Sequence, residues 1–457
     1  MEALGDARRP LATRVYGVRL LYKPEVRRVL ARLLAGVAVV YYLFRVTLQY
    51  VQLAQFPRLP FDYEQFRRAA QDIGAGRNPY QFYLDLHCTT WCLGGYIYTP
   101  LVAVILRPLN GLDDRTAAIL WATFGHLMLV ATIVVLYRGL RTDLTRTGLL
   151  FLLAAGLLFL PVLGSVAYLQ PGTLLTLTLA TAAVLYLRGR SRASVGAGAA
   201  LGTAIVMKVT PILVAPALLP LGWARDRAAR LGQPVRDAAL AVAGLTLAAV
   251  VLTGGMLLLV PYTDQFFTMV LPRIGAGTTT FDNQSLPGVV AHTIELLGGT
   301  APSAGLLTVA AALVFVGIPI ALGALARPEV RGTRAARAAF FAAFLAAMPI
   351  ASSITWWHHL VVSVVAVALL AVALWPAAGT VLVSQPARWL LVVAFPLMAV
   401  HIEDRTQTSA LGITDPSVFE VLRVQLFESA NLWGMLALWL AAVLVLWTAA
   451  RPRAEAT

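Results

Sequence analysis

Charge is scarce in this chain. Of its 457 residues only 13% are Asp, Glu, Lys or Arg, where a soluble protein carries about 25%. That deficit excludes a protein whose whole surface faces water. Lysine is scarcer still, with Lys23 and Lys208 alone among 36 basic residues. Cysteine is limited to Cys88 and Cys92, which excludes a disulfide scaffold and a four-cysteine zinc site. The two stand four apart in a polar stretch and suit either one local disulfide or two free thiols. No Gly-x-Gly-x-x-Gly follows a strand pattern and no phosphate-loop signature occurs. The chain therefore offers no recognisable nucleotide site.

What is present in excess is apolar sequence: 59% of the residues are hydrophobic and the mean hydropathy is +0.76. A membrane crossing takes about 20 apolar helical residues. Full-length candidates lie near 29–50, 116–137, 147–165, 170–188, 238–260, 304–326, 338–355, 359–377 and 431–450. Shorter ones lie at 96–109 and 388–401, and Lys208, Pro211 and Pro216 interrupt another at 196–221. The chain is thus expected to be all-α, a polytopic transmembrane helical bundle with short helices in its outer loops.

The net charge of +14 comes from arginines set in the short gaps between apolar runs. That is the positive-inside pattern of membrane proteins, so the excess charge does not point to nucleic acid. Residues 1–28 read as a cytoplasmic basic arm, 29–450 as one transmembrane domain, and 451–457 as a cytoplasmic tail. All the basic gaps fall on one side if 96–109 dips and returns and if 196–221 is a pair of half-helices meeting near Lys208. The alternative makes both segments ordinary spans and puts two basic gaps outside. The first reading agrees better with the orienting role of short loops. Loops 51–95 and 261–302 then face outward, with a short turn at Trp356–His359 and the stretch 402–430.

Polar residues able to do chemistry gather in those outer parts. Residues 62–73 read as a short amphipathic helix, with Phe66, Ala69, Ala70 and Ile73 on one face. Asp62 at its start suits an N-cap and equally suits a general base at the membrane boundary. Gly74, Gly76 and Pro79 signal a turn that carries Asn78 and Tyr80. Tyr96 and Tyr98 fit an interfacial aromatic belt or the wall of a sugar pocket. Lys208 sits mid-run, where burying an ammonium costs at least about 2.5 kcal/mol. It either snorkels to an interface or meets a phosphate or carboxylate. Phe281-Asp282-Asn283-Gln284-Ser285 and Ser352-Ser353-Ile354-Thr355-Trp356-Trp357-His358-His359 are two further polar patches. Adjacent histidines on a helix diverge by about 100°, so no metal is expected there. An imidazole contacting a phosphate fits that turn, as does simple aromatic anchoring.

In order along the chain, these pieces resemble glycosyltransferase family eighty-seven. These are bacterial polyprenol-phosphate-sugar transferases of the GT-C fold, with the phosphatidylinositol-mannoside mannosyltransferases among them. The resemblance spans roughly 30–370. It rests on Asp62 with an aromatic four residues on, Gly76-Arg-Asn-Pro-Tyr80, Tyr96-Ile-Tyr-Thr-Pro-Leu101, Lys208-Val-Thr-Pro211, Asn283-Gln-Ser-Leu286 and Ser352…Trp356-Trp-His-His359. The chain departs from the family pattern at Leu169-Gln170-Pro171-Gly172, at Ser353-Ile354-Thr355, and at Phe66 where Tyr is common.

The resemblance implies that Asp62 is the catalytic base and that His358 and His359 contact the donor phosphate, with Lys208 beside them. It implies inverting transfer without metal or cofactor. Tyr63, Asn78, Tyr80, Tyr96, Tyr98, Gln170, Asn283, Gln284 and Trp356 are candidates to hold sugar or acceptor. The expected reaction moves a hexose, mannose first, from a polyprenyl-phosphate donor to a hydroxyl of a lipid or glycan acceptor. It takes place on the outer face of a bacterial plasma membrane. Rival readings are transfer of arabinofuranose and a lipid or polysaccharide transporter without chemistry. Transporters commonly show paired broken helices, whereas this sequence shows one clear break.

Overall fold

The computed structural model describes residues 23–55, 58–86, 94–189, 191–219, 232–278, 283–377, 384–400 and 418–451. Cys88, Cys92, Phe281 and Asp282 lie outside these. Among the described residues the chain is helical, with no strand. We number the longer helices α1 (Pro24–Gln55), α2 (Phe61–Gly74), α3 (Pro100–Leu106), α4 (Asp114–Leu140), α5 (Arg146–Leu158), α6 (Leu160–Ala167), α7 (Gly172–Arg188) and α8 (Ser191–Met207). The second half holds α9 (Gly232–Leu259), α10 (Leu286–Leu296), α11 (Ala304–Leu325), α12 (Arg334–Ile350), α13 (Ser363–Leu374), α14 (Gln385–Met398), α15 (Val418–Glu428) and α16 (Ala430–Ala450).

Among the described residues six helical stretches are long and apolar enough to cross a membrane: α1, α4, α9, α11, Trp357–Leu374 and α16. The pair α5–α6, bent by 45°, makes a seventh. Leu258 is 87% exposed and Leu259 80%, and α1, α9 and α11 all turn long apolar faces outward. Such faces would associate in water and are what lipid requires. The protein is a multi-pass membrane protein built as an all-helical bundle.

Helix starts and breaks follow local chemistry. Asp113, Thr145, Ser285, Ser303 and Thr333 each accept a backbone N–H of the first turn of α4, α5, α10, α11 and α12, the usual N-cap bond. Pro161 carries no N–H for the carbonyl four residues back, and the chain kinks between α5 and α6. Pro211 does the same to α8. The helix stops at Met207, Lys208 stands at the break, and a 3-10 turn runs over Thr210–Leu218. Pro100–Leu109 is a ten-residue helical piece, α3 plus a 3-10 turn, about half of what a crossing needs. It packs against α2.

Small residues set the closest packing. A Cβ on Gly198 of α8 would lie 1.7 Å from the Ala241 carbonyl oxygen of α9, and one on Gly244 would lie 2.2 Å from Val195 oxygen. Glycine lets these two backbones touch. At the centre, the alanine-rich α12 is buried at every residue after Arg334 and packs on α13 and α16.

The arginine-bearing gaps share one end of the bundle. Arg334 pairs with Asp143 at 2.7 Å and donates to Gly139 oxygen at 2.7 Å. Arg337 donates to the carbonyls of Tyr186 and Leu187. Ser191 donates to Asp237, and the backbone N–H of Arg327 reaches Ala449 oxygen at 3.1 Å. Each contact ties one basic gap to another element at that end. The described parts of these gaps therefore lie together at one end.

Candidate active site

The opposite end of the bundle is built around α2. Its buried face is Phe66, Ala69, Ala70 and Ile73, as the amphipathic spacing predicts. Arg67 points inward too, only 4% exposed. It donates to Asp114 at 3.0 Å, Asn110 at 3.2 Å and the Leu112 carbonyl at 2.7 Å. Asn110 returns a bond to Ala70 oxygen at 2.8 Å. These contacts clamp α2 to the turn before α4.

The N-cap role open to Asp62 is not used. Pro60 occupies the cap position and makes no side-chain cap bond. Asp62 is the second helical residue, and its Oδ2 accepts from Gln170 Nε2 at 2.6 Å. Oδ1 takes no hydrogen bond among the described residues. Burial pushes the Asp62 carboxyl above the ordinary carboxylate range, while the Gln170 bond and the Lys208 charge pull it back down.

Gln170 is held by the turn leaving α6. Its N–H bonds Ser165 oxygen at 2.9 Å. Leu169 before it adopts φ +54°, a rare conformation for a bulky residue. Trp121 Nε1 fixes the Leu169 carbonyl at 2.8 Å. Gln49 on α1 bonds the Val166 carbonyl at 2.8 Å and, through its oxygen, meets His126 at 3.1 Å. With both sides of the turn anchored, the Gln170 amide is aimed; its Oε1 accepts from Tyr98 hydroxyl at 3.1 Å.

Tyr98 reaches this place through a tight backbone approach. A Cβ on Gly95 would lie 2.6 Å from Tyr83 Cβ, and its φ of +82° favours glycine independently. The Gly95 N–H donates to Gln65 at 3.2 Å. Tyr80 hydroxyl then bonds the Tyr98 carbonyl at 3.0 Å, and Thr99 Oγ1 bonds Val206 oxygen at 2.6 Å. That last contact sets Tyr98 beside the α8 break, where Lys208 Nζ lies 5.5 Å from the Tyr98 ring centre.

The Trp–His–His stretch closes the far wall. His359 Nδ1 accepts from Trp356 N–H at 3.2 Å, and the His358 and His359 rings stand 4.7 Å apart. His358 also faces Tyr168 at 5.3 Å. Asn283 ties this segment down: its Oδ1 accepts from Thr355 N–H and its Nδ2 donates to Ser353 oxygen, both at 2.9 Å. Tyr98, Ser165, Gln170, Gly172, Lys208, His358 and His359 line one small cavity of about 20 Å³.

The structure thus brings together Asp62, Tyr98, Gln170, Lys208, His358 and His359. Asp62 joins the cavity through its bond to Gln170, and the other candidates stand back from the wall. Tyr63 is fully buried on the Arg67–Asp114 side of α2. Asn78 bonds Gln265 at 2.8 Å and the Tyr80 N–H at 3.0 Å, which makes it a loop staple. Tyr96 is buried, stacks on Tyr80 and bonds the Thr99 carbonyl. Asn283 organises backbone, Gln284 contributes its N–H to Thr355 oxygen at 2.7 Å, and Trp356 offers its N–H to His359. Ser165 in the wall and Trp121 behind Leu169 were not read from the sequence. A lone serine and a lone tryptophan inside apolar runs carry no spacing signal. Among the described residues no three His, Cys, Asp or Glu side chains gather as a metal-ligand set.

Two solved structures of ArnT from Cupriavidus metallidurans are similar to this chain, each 17% identical with a TM-score of 0.41. The one bound to undecaprenyl phosphate aligns over 90% of this chain and 76% of its own. The apo one aligns over 91% and 78%. No curated protein matches. Residues 96–353 match the family model described as glycosyltransferase family 87, more than half of the chain, and the protein belongs to that family.

Proposed function

We propose that this membrane glycosyltransferase moves a hexose, mannose first, from a polyprenyl-phosphate donor to a hydroxyl of a lipid or glycan acceptor, with inversion and with Asp62 as base. One observation carries the reading. A carboxylate with one unbonded oxygen is held by Gln170, and Gln170 lines the same small cavity as a cluster that suits a phosphate: Lys208, His358 and His359. Such a pairing is what transfer from a lipid phosphate needs. The acceptor O–H gives its proton to Asp62 Oδ1 as its oxygen attacks the anomeric carbon. The bond from that carbon to the phosphate oxygen breaks on the opposite face, and the electron pair leaves with the phosphate. The Lys208 charge offsets the negative charge that builds there. Gln170 holds Oδ2, so the free oxygen of the carboxylate faces the acceptor.

The family supports sugar transfer, and the absence of a recognisable nucleotide signature supports a lipid-borne donor. The positive-inside rule supports an arginine end in the cytoplasm, which puts this cavity on the outer face of a bacterial plasma membrane in the proposed reading. Asp62→Asn in proteoliposomes tests the proposal, with polyprenyl-phosphate mannose as donor and released polyprenyl phosphate as readout. Loss of about 10²–10⁴ in rate is expected for a missing general base. Full activity of Asp62→Asn overturns the role of Asp62, and a wild-type chain that moves intact lipid without releasing polyprenyl phosphate is a transporter. Release only from a lipid-linked pentose replaces mannose with arabinofuranose.

A further inference from the structure

A second cavity lies at the arginine end, away from the candidate site. Its volume is about 680 Å³. Its origin is a packing choice. α5 lies along α1, and α4 lies along α7, so consecutive helices α4 and α5 part and leave a cleft floored by α13. Ile133, Leu136, Leu149, Leu153 and Val367 line it, and Phe159 closes it at the α5–α6 kink. Arg28, Arg32 and Arg146 stand at its open end.

The carboxylates near these arginines are largely engaged. Glu25 pairs with Arg28 at 3.3 Å and Asp143 with Arg334 at 2.7 Å. Among the described residues no carboxylate pairs with Arg32 or Arg146. Two cations without counter-ions therefore flank the mouth of an apolar slot. From Arg146 to Phe159 a helix rises about 20 Å, close to the roughly 15 Å of hydrocarbon in one leaflet. A two-chain lipid of a single leaflet fits that depth. A polyprenyl chain overruns it, and the chemistry asks for the donor phosphate at the other end of the bundle.

We propose that this cleft holds one anionic glycerophospholipid, its phosphate between Arg32 and Arg146 and its acyl chains between α4 and α5. The charge of the mouth selects the headgroup, and the apolar walls replace contacts that α4 and α5 do not make with each other.

Native mass spectrometry of the full chain, titrated with phosphatidylglycerol or with phosphatidylcholine of the same acyl chains, tests this. One phosphatidylglycerol is expected to bind at least ~10-fold tighter than phosphatidylcholine, given two arginines at the headgroup. Arg32→Gln with Arg146→Gln should bring the preference within about 2-fold. Both side chains are exposed, so the fold should tolerate the change, which an unshifted melting temperature checks. Ala155→Phe, which puts a ring into the cleft, should abolish retention with both arginines in place. Equal affinity for the two lipids, or a preference that survives the double substitution, overturns the proposal. So does polyprenyl phosphate outcompeting phosphatidylglycerol with the same arginine dependence. Binding seen only after removal of residues 1–22 would give the cleft to that arm instead.

Discussion

Gln170 and Asp62, 108 residues apart in the chain, are joined by a 2.6 Å hydrogen bond from Nε2 to Oδ2. The same amide takes the Tyr98 hydroxyl on its oxygen. One side chain therefore links the loop helix, the tyrosine strap and the turn after α6.

Gln170→Leu removes both bonds and leaves the Asp62 oxygen and the Tyr98 hydroxyl without their partner. A drop of about 10–100-fold in kcat is expected, the rate equivalent of one or two such buried bonds. The bond lowers the affinity of Asp62 for its proton, so its loss should also move the acid limb of the pH profile upward. A merely structural role for Gln170 would lower activity without moving that limb.

The pH dependence of the wild-type enzyme has a defined sign. In the proposed reaction Asp62 works as the ionised carboxylate, and burial raises its pKa. Transfer should fall on acidification through a midpoint above the usual aspartate value of about 3.9. Lys208 pulls that midpoint down through its charge. Lys208→Met should thus shift it further up, with kcat/KM measured from pH 4 to 9 as the check. An unmoved midpoint would separate Lys208 from Asp62 electrostatically.

Arg67 is the clamp of α2, buried with three acceptors around it. Arg67→Met keeps the apolar stem and discards the bonds. A loss of about 2 kcal/mol in local stability is expected, from hydrogen bonds to a charged group. Hydrogen exchange across residues 61–74 should rise, with less change in the distant α12.

Gly198→Ala should force α8 away from α9, because the new methyl meets the Ala241 carbonyl. Overpacking of this kind costs about 1–3 kcal/mol, read as a lower melting temperature in detergent. Gly36→Ala on α1, where nothing lies within 4 Å, is the matched control and should be neutral.

Most of the helical layout was legible in the sequence, because apolar runs of membrane length have few other uses. The break at Lys208 was legible for the same reason: a lysine, then Pro211 and Pro216, cannot continue an apolar helix unchanged. The role of Asp62 as cap or as base could not be separated by spacing, since both put a carboxylate at a helix start. The Gln170 amide decides against the cap, and that contact spans 108 residues. Asn78, Tyr96 and Asn283 stand in the outer polar stretches that carry the family resemblance, and were read as candidates to hold substrate. Here each also bonds backbone or loop groups, a demand that buried turns create.

The matched stretch 96–353 contains Tyr98, Gln170 and Lys208 but stops short of Asp62 on one side and of His358 and His359 on the other. A fragment trimmed to that stretch would keep the family hallmark and forfeit the carboxylate and both imidazoles. What names the lineage and what equips the cavity are, in this chain, only partly the same residues.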